Sequence, residues 1–250
     1  MSGWLVIAGL GPGDNALITP EVTQALAEAT DVVGYAPYVR RVPGRRGLQR
    51  HETDNREELD RAQQALKMAH EGRRVVVVSS GDPGVFAMAA AVFEAVEHGP
   101  RSWRGLDIRV LPGITAMLAA AARVGAPLGH DFCAINLSDN LKPQALIEAR
   151  LRHAIEADFA IALYNPRSKS RPKGMSLALQ LVRGICDPFR VIVFARAVST
   201  PEEHLRVVRL ADASPNMADM RTVVLIGSSA TRIIDRDGAP FVYTPRSVPE

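Results

Sequence analysis

The sequence predicts an α/β fold in two parts, a mostly parallel sheet followed by a mixed sheet. Three observations carry this reading. Short apolar segments alternate with helical patterns from the start of the chain, as strands and the helices that cover them do. One segment, Val75-Val76-Val77-Val78, is an unbroken β-branched run, which suits a strand buried on both faces. The second half then changes texture: Leu205-Arg206-Val207-Val208-Arg209-Leu210 mixes apolar and basic positions, as an antiparallel or edge strand does.

The elements follow in order. Trp4-Leu5-Val6-Ile7-Ala8 reads as the first buried strand. Thr19 and Pro20 supply a cap and a first turn, so a helix is predicted over 21–29. Asp31-Val32-Val33 is a second strand. Leu59, Ala62, Leu66 and Ala69 recur at spacings of three and four, which predicts a longer helix over 55–71. After the valine strand a helix is predicted over 85–96, then a strand over 107–111 and an alanine-rich helix over 114–124. The boundary between the two parts is expected between Thr115 and Pro127, giving domains of residues 1–116 and 117–250. Beyond it, strands are predicted over 132–137, 159–163, 191–194, 205–208, 222–226 and 241–243, with one helix over 143–157. The chain shows no internal repeat and no low-complexity tract.

Composition bounds the function. The chain has 250 residues, 47% hydrophobic and 23% charged, the balance of a water-soluble globular protein. No apolar run is long enough to span a bilayer, and Ser2-Gly3-Trp4 leads into a strand rather than a secretory signal. Cys133 and Cys186 lie far apart in apolar stretches with no metal or disulfide spacing. They are expected to be core thiols of a cytoplasmic protein without a bound metal. Net charge is +3, from 30 basic and 27 acidic residues. Its distribution says more. Arg40, Arg41, Arg45, Arg46 and Arg50 cluster, and Arg167, Lys169, Arg171 and Lys173 alternate. Both runs sit among Gly, Pro or Ser and are expected to be loops, either solvated surface or a cationic wall for a polyanionic ligand. Aromatics at 5% argue against base-stacking platforms for nucleic acid.

Three Gly/Pro loops close predicted strands: Gly9-Leu10-Gly11-Pro12-Gly13-Asp14, Ser79-Ser80-Gly81-Asp82-Pro83-Gly84 and Pro112-Gly113-Ile114-Thr115-Ala116. Ligands of open α/β sheets bind outside the carboxyl ends of strands, so three such loops point to one crevice. The first loop is not a P-loop, because no Lys follows Gly13. Nor is it a dinucleotide fingerprint: Asp14 stands where the third glycine belongs, and Pro12 where a helix would open. A loop with an exposed backbone and an acidic residue suits a neutral or cationic ligand better than a phosphate.

In this order and spacing the three motifs resemble the tetrapyrrole (corrin/porphyrin) methyltransferases, over nearly the whole chain. The resemblance implies two α/β domains with S-adenosyl-L-methionine (SAM) in the cleft between them, release of S-adenosyl-L-homocysteine, and a homodimer. Residue by residue, it implies that Pro12 lines the cofactor cleft. Gly81 and Asp82 approach the methionyl part, with Val85 packing nearby and Thr115 and Ala116 beside it. Asn165 and Ala197 fall at the adenosine, with Asn165 in place of the Met commoner in the family. Further stretches are Gly34-Tyr35 with Tyr38, Asp54-Asn55-Arg56, Leu137-Ser138-Asp139, and Tyr164-Asn165-Pro166-Arg167-Ser168-Lys169-Ser170-Arg171. They resemble the branch of the family that methylates C17 of precorrin-3B and contracts its ring to precorrin-4 in cobalamin synthesis.

Such a substrate carries many carboxylates, which arginine pairs with bidentately. Arg40, Arg41, Arg45, Arg46, Arg167, Lys169 and Arg171 are the candidates to bind it. Methyl transfer from a sulfonium depends chiefly on positioning, whereas ring contraction with loss of a hydroxyl proton calls for a base. Asp82 ranks first, followed by Asp139, with His51 and Asp54 also in candidate loops; each of them also suits a turn or cap. His130 and His204 read as ordinary surface residues. The competing readings are a same-fold methyltransferase acting on another precorrin position, on ribosomal RNA or on a modified histidine, and a non-catalytic SAM- or tetrapyrrole-binding module. A small cobalt-free tetrapyrrole, without nucleic acid or membrane, is the expected partner.

Overall fold

The structure is a computed structural model that describes residues 3–54, 57–168 and 170–247. The chain divides into two compact units, Met1–Thr115 and Ala116–Glu250.

The first unit runs β1 (Trp4–Gly9), α1 (Pro20–Glu28), β2 (Asp31–Tyr35), α2 (Ala36–Val39), β3 (Gln49–Thr53), α3 (Glu58–His70), β4 (Arg74–Ser79), α4 (Met88–His98) and β5 (Asp107–Leu111). Its strands are ordered β3-β2-β4-β1-β5, and every pairing is parallel. Successive side chains of β1 and β4 point to opposite faces, and both faces are covered. Leu5, Ile7, Val75 and Val77 pack with Leu66 and Val92 of α3 and α4. Val6, Ala8, Val76 and Val78 pack with Val22 and Ala25 of α1. The unbroken valine run is therefore a strand with two apolar faces. Helix α1 starts as its sequence requires, with Pro20 in the first turn and the Thr19 hydroxyl accepting from the Val22 N–H at 3.3 Å.

Helix α2 was not among the predicted elements, and two further features of this unit depart from expectation. Helix α4 begins at Met88 rather than at residue 85, because Phe86 has φ +54° and Ala87 is extended. Strand β3 begins at the end of the stretch read as a basic loop and takes in its Arg50. Its sequence, Gln49-Arg50-His51-Glu52-Thr53, has no apolar alternation, and it is held by pairing with β2 along one edge. The helix predicted over 55–71 is α3; Asn55 and Arg56 lie outside the described residues.

The second unit runs α5 (Ala116–Val124), β6 (Gly125–Ala126), β7 (Phe132–Asn136), α6 (Gln144–Glu156), β8 (Ala160–Tyr164), α7 (Gly174–Arg183), β9 (Val191–Arg196), β10 (His204–Arg209), β11 (Thr222–Ile226), β12 (Arg232–Ile234) and β13 (Phe241–Tyr243). The larger sheet, β10-β9-β11-β8-β7, is mixed: β7 and β8 are parallel and the other neighbours antiparallel. A small sheet, β12-β13-β6, stands apart from it. Helices α6 and α7 supply Ile147, Leu151, Met175 and Leu179 to the core. Helix α7 was not among the predicted elements, although its buried Met175, Ala178, Leu179 and Val182 follow helical spacing. Cys133 and Cys186 are half-buried against this core rather than within it, and burial pushes both thiols up. Among the described residues no helix is long and apolar enough to cross a membrane.

Candidate functional site

In the first sheet β1 lies between β4 and β5, with Gly9 beside Ser79 and Ala8 beside Leu111. All three strands run the same way, so their exit loops leave from one edge, side by side. The loops then touch backbone to backbone. Gly11 and Gly81 exchange hydrogen bonds at 3.2 and 2.9 Å, both glycines having positive φ, +66° and +64°. A Cβ on Gly9 would lie 2.5 Å from the Gly81 carbonyl oxygen, and one on Gly113 2.2 Å from the same atom. The glycines at these positions are thus required first by the loops' contact with one another.

Asp82 joins the second loop to the third. One carboxylate oxygen accepts from the Gly84 N–H at 2.8 Å and the other from the Gly113 N–H at 3.0 Å. Asp14 caps the short turn after the first loop, accepting from the Ala16 N–H at 2.9 Å. Residues 10–14, 80–84 and 112–115 contain these two carboxylates and no basic side chain. Pro12 is half-buried between Gly11 and Gly13, Val85 follows the second loop half-buried, and Thr115 is buried at the end of the third.

The first basic run separates into three places. Arg41 is drawn under the glycine loop, where its guanidinium donates to the carbonyls of Leu10, Gly11 and Gly13, the last two at 3.0 Å. Burial pushes the Arg41 pKa down, and its Nε is buried without a hydrogen-bond partner. Arg45 donates to Leu26 and Ala29, closing the end of α1 at the amino edge of the sheet, away from the loops. Arg40 stays at the carboxyl edge, largely exposed, paired with Glu52 at 2.8 Å. Arg46 is exposed. His51 lies in β3, where it pairs at 2.8 Å with buried Asp31 at the amino edge. Burial pushes Asp31 up, but hydrogen bonds from Thr30, His51 and Arg73 outweigh it and hold the carboxyl below its usual range. Asp54 follows β3, its carbonyl accepting from Arg61.

Arg61 is a residue that sequence reasoning missed. It is 2% exposed, donates to the Thr53 hydroxyl, and lies 3.1 Å from the Met88 sulfur, joining the end of β3 to the start of α4. Burial pushes its guanidinium pKa down. The available signal was an arginine on the apolar stripe of α3, four residues before Ala65 and seven before Met68. Tyr38, whose hydroxyl burial pushes up, packs edge-on against Tyr35 with ring centroids 5.3 Å apart.

In the second unit β8 and β9 are both antiparallel to β11, so β7, β8 and β9 share a carboxyl edge. Here side chains make the ties. The Asn136 side-chain oxygen accepts from the Ser138 N–H at 2.9 Å and from the Asn165 amide at 3.0 Å. The Tyr164 hydroxyl accepts from the Met117 N–H at 3.0 Å, fixing the first turn of α5, which Ala116 opens. Asn165, Ala197 and Ser199 have positive φ (+51°, +48° and +63°) although none is glycine. The basic segment lies along this edge. Arg167 donates to Asn216 at 2.6 Å, and half-buried Arg171 is 3.8 Å from Asp139. Lys169 lies outside the described residues. His204 accepts from Arg206 at 2.8 Å, and His130 is 3.6 Å from Asp131. Among the described residues no three His, Cys, Asp or Glu side chains are grouped to hold a metal ion.

The family profile of the tetrapyrrole (corrin/porphyrin) methylases matches residues 4–214. A precorrin-3B C(17)-methyltransferase from Sinorhizobium sp. is 53% identical over 247 residues, 98% of this chain and 97% of that protein. The crystal structure of the methyltransferase CobJ is 67% identical with a TM-score of 0.93, over 98% of this chain and 100% of that one. A uroporphyrin-III C-methyl transferase from Thermus thermophilus, complexed with S-adenyl homocysteine, shares the fold at 23% identity and a TM-score of 0.67, over 90% of this chain and 97% of that one.

Proposed function

The chain belongs to the tetrapyrrole (corrin/porphyrin) methylases, and from that membership we propose that it transfers a methyl group from SAM to C17 of precorrin-3B and contracts the ring to precorrin-4. The observation that carries this reading is the 53% identity, along 98% of the chain, with a precorrin-3B C(17)-methyltransferase. The loop chemistry fits the cofactor. Its sulfonium and ammonium are cationic, and the three loops carry two carboxylates and no basic side chain of their own, the Arg41 guanidinium being taken up by the carbonyls of Leu10, Gly11 and Gly13. SAM supplies an electrophilic methyl, so the protein's task is to hold donor and acceptor in line.

In this reading Pro12, Gly81, Asp82, Val85, Thr115 and Ala116 hold the methionyl part, and Asn165 and Ala197 the adenosine. Asp82 keeps the second and third loops in register through Gly84 and Gly113. Asp139, 46% exposed beside Arg171, is then the better placed of the two carboxylates to take the ring hydroxyl proton. Arg40, Arg167, Lys169 and Arg171 receive substrate carboxylates, while Arg41 and Arg45 hold backbone. A cobalt-free ring, a cytoplasmic location and a homodimer complete the reading. The test is incubation with precorrin-3B and methyl-labelled SAM, with a cobalt-bearing ring as competitor, followed by mass spectrometry and carbon NMR. One labelled methyl on C17 of a contracted ring is expected. A product without added methyl, or with an uncontracted ring, overturns the proposal.

A further inference from the structure

Phe86 has a left-handed backbone, φ +54°, which a bulky aromatic residue rarely adopts. Such conformations persist where the surroundings over-determine them, and they gather at ligand sites. The segment around Phe86 is pinned on both sides. Gly81 is bonded to Gly11, and Asp82 accepts from Gly84. The Val85 N–H donates to the Asp82 carbonyl at 3.3 Å, the Ala89 N–H to the Pro83 carbonyl at 2.9 Å, and the Met88 N–H to the Ser79 hydroxyl at 3.4 Å. The residue so constrained remains 46% exposed. The helical pattern alone would have carried α4 back through residue 85. The fold instead starts the helix at Met88 and leaves a partly exposed aromatic residue after β4, next to the loop that carries Asp82.

We propose that Phe86 is a specificity-determining residue that presents its ring to the apolar face of the tetrapyrrole macrocycle. This rests on the functional reading above and deepens it. The macrocycle is wide and apolar across its face and anionic at its rim, so the rim calls for arginines and the face for an aromatic or aliphatic surface. The methionyl end of SAM, with its ammonium, carboxylate and sulfonium, is polar and is served by the loops themselves.

The test uses the intact protein with three variants. Phe86→Gly removes ring and strain together, Phe86→Leu keeps the strain and removes the ring, and Phe86→Tyr keeps the ring. For Phe86→Gly and Phe86→Leu the KM for precorrin-3B is expected to rise about tenfold, with kcat within about twofold and the Kd of S-adenosyl-L-homocysteine unchanged by calorimetry. Phe86→Tyr is expected to match wild type. An unchanged KM in Phe86→Gly overturns the assignment, as does a weakening of S-adenosyl-L-homocysteine equal to that of the tetrapyrrole. Wild-type protein that neither binds nor methylates precorrin-3B overturns the functional reading and this inference together. Wild-type turnover with indifferent Phe86 variants overturns this inference alone.

Discussion

At the carboxyl edge of the first sheet the loops meet backbone to backbone, with the Asp82 carboxylate as a further tie, whereas at the corresponding edge of the second sheet they are joined by side chains. Gly9, Gly81 and Gly113 approach so closely that no Cβ fits at the first or the last of them. Asn136, Asn165 and Tyr164 do the equivalent work in the second unit through amide and hydroxyl bonds. Where the loops touch, the turns differ accordingly: glycines take the left-handed positions at Gly11 and Gly81, with Phe86 the non-glycine case further along the second loop, while Asn165, Ala197 and Ser199 take them in the second unit. The difference shows what a glycine motif means. In the first unit glycine is demanded by steric contact between loops. In the second, left-handed positions are taken by residues other than glycine, and at Asn165 the side chain is used to bond Asn136.

Breaking the first arrangement has the largest expected effect. Gly113→Ala places a methyl 2.2 Å from the Gly81 carbonyl oxygen and 2.9 Å from the Gly9 carbonyl carbon, all of it backbone that cannot turn aside. We expect a loss of about 3 kcal/mol in urea unfolding, the upper end for overpacking, together with loss of methyl transfer. Asp82→Asn removes one of the two acceptors that tie the loops, since an amide nitrogen cannot accept. Turnover should fall while far-UV circular dichroism is retained; unchanged kinetics would show that the Asp82 tie does not set the site.

Acid separates the two units next. Asp31 in the first unit is 3% exposed, and Asp158 in the second is 41% exposed, bonded to Arg190 at 2.6 Å and to the Ser229 N–H at 2.8 Å. In both, burial raises the carboxyl and the hydrogen bonds more than reverse this, leaving it below the ordinary 3.8. A carboxylate held low contributes stability that is present above 3.8 and is lost as pH falls through its folded value. Asp31→Asn should therefore cost about 2 kcal/mol at neutral pH, and the gap to wild type should close in acid. Asp158→Asn, more screened by water, should show the same trend at a smaller size. Urea titrations repeated across pH measure both. The smallest effect is expected at Ala197→Gly. Relief of a left-handed alanine, about 1 kcal/mol, less the entropy of glycine, about 0.5 kcal/mol, leaves a slight gain in thermal stability. A clear loss would show that the buried methyl matters more than the backbone.

Legibility followed the physical origin of each signal. Strands β1, β4 and β11 were visible because burial on both faces or at a sheet's centre leaves an unbroken apolar run. Strand β3 was not, since backbone pairing along one edge holds it and its side chains are polar. Helix α7 was not predicted, although Met175, Ala178, Leu179 and Val182 carry its helical spacing. Arg61 gave the faintest signal, a cation on an apolar stripe that reads as a pattern error until its partners are seen.

The sequence by itself determined the α/β class, the three glycine loops at strand ends and the family to which they point, because hydrophobic period and backbone permissiveness are local properties. Only the tertiary structure decided what each polar residue does. Arg40, Arg41 and Arg45 are near neighbours of one chemical type in the chain, yet one meets an exposed carboxylate, one a loop's carbonyls and one the end of a helix. A guanidinium's role depends on which acceptors the fold brings within hydrogen-bond reach, and those acceptors lie between 12 and 31 residues away.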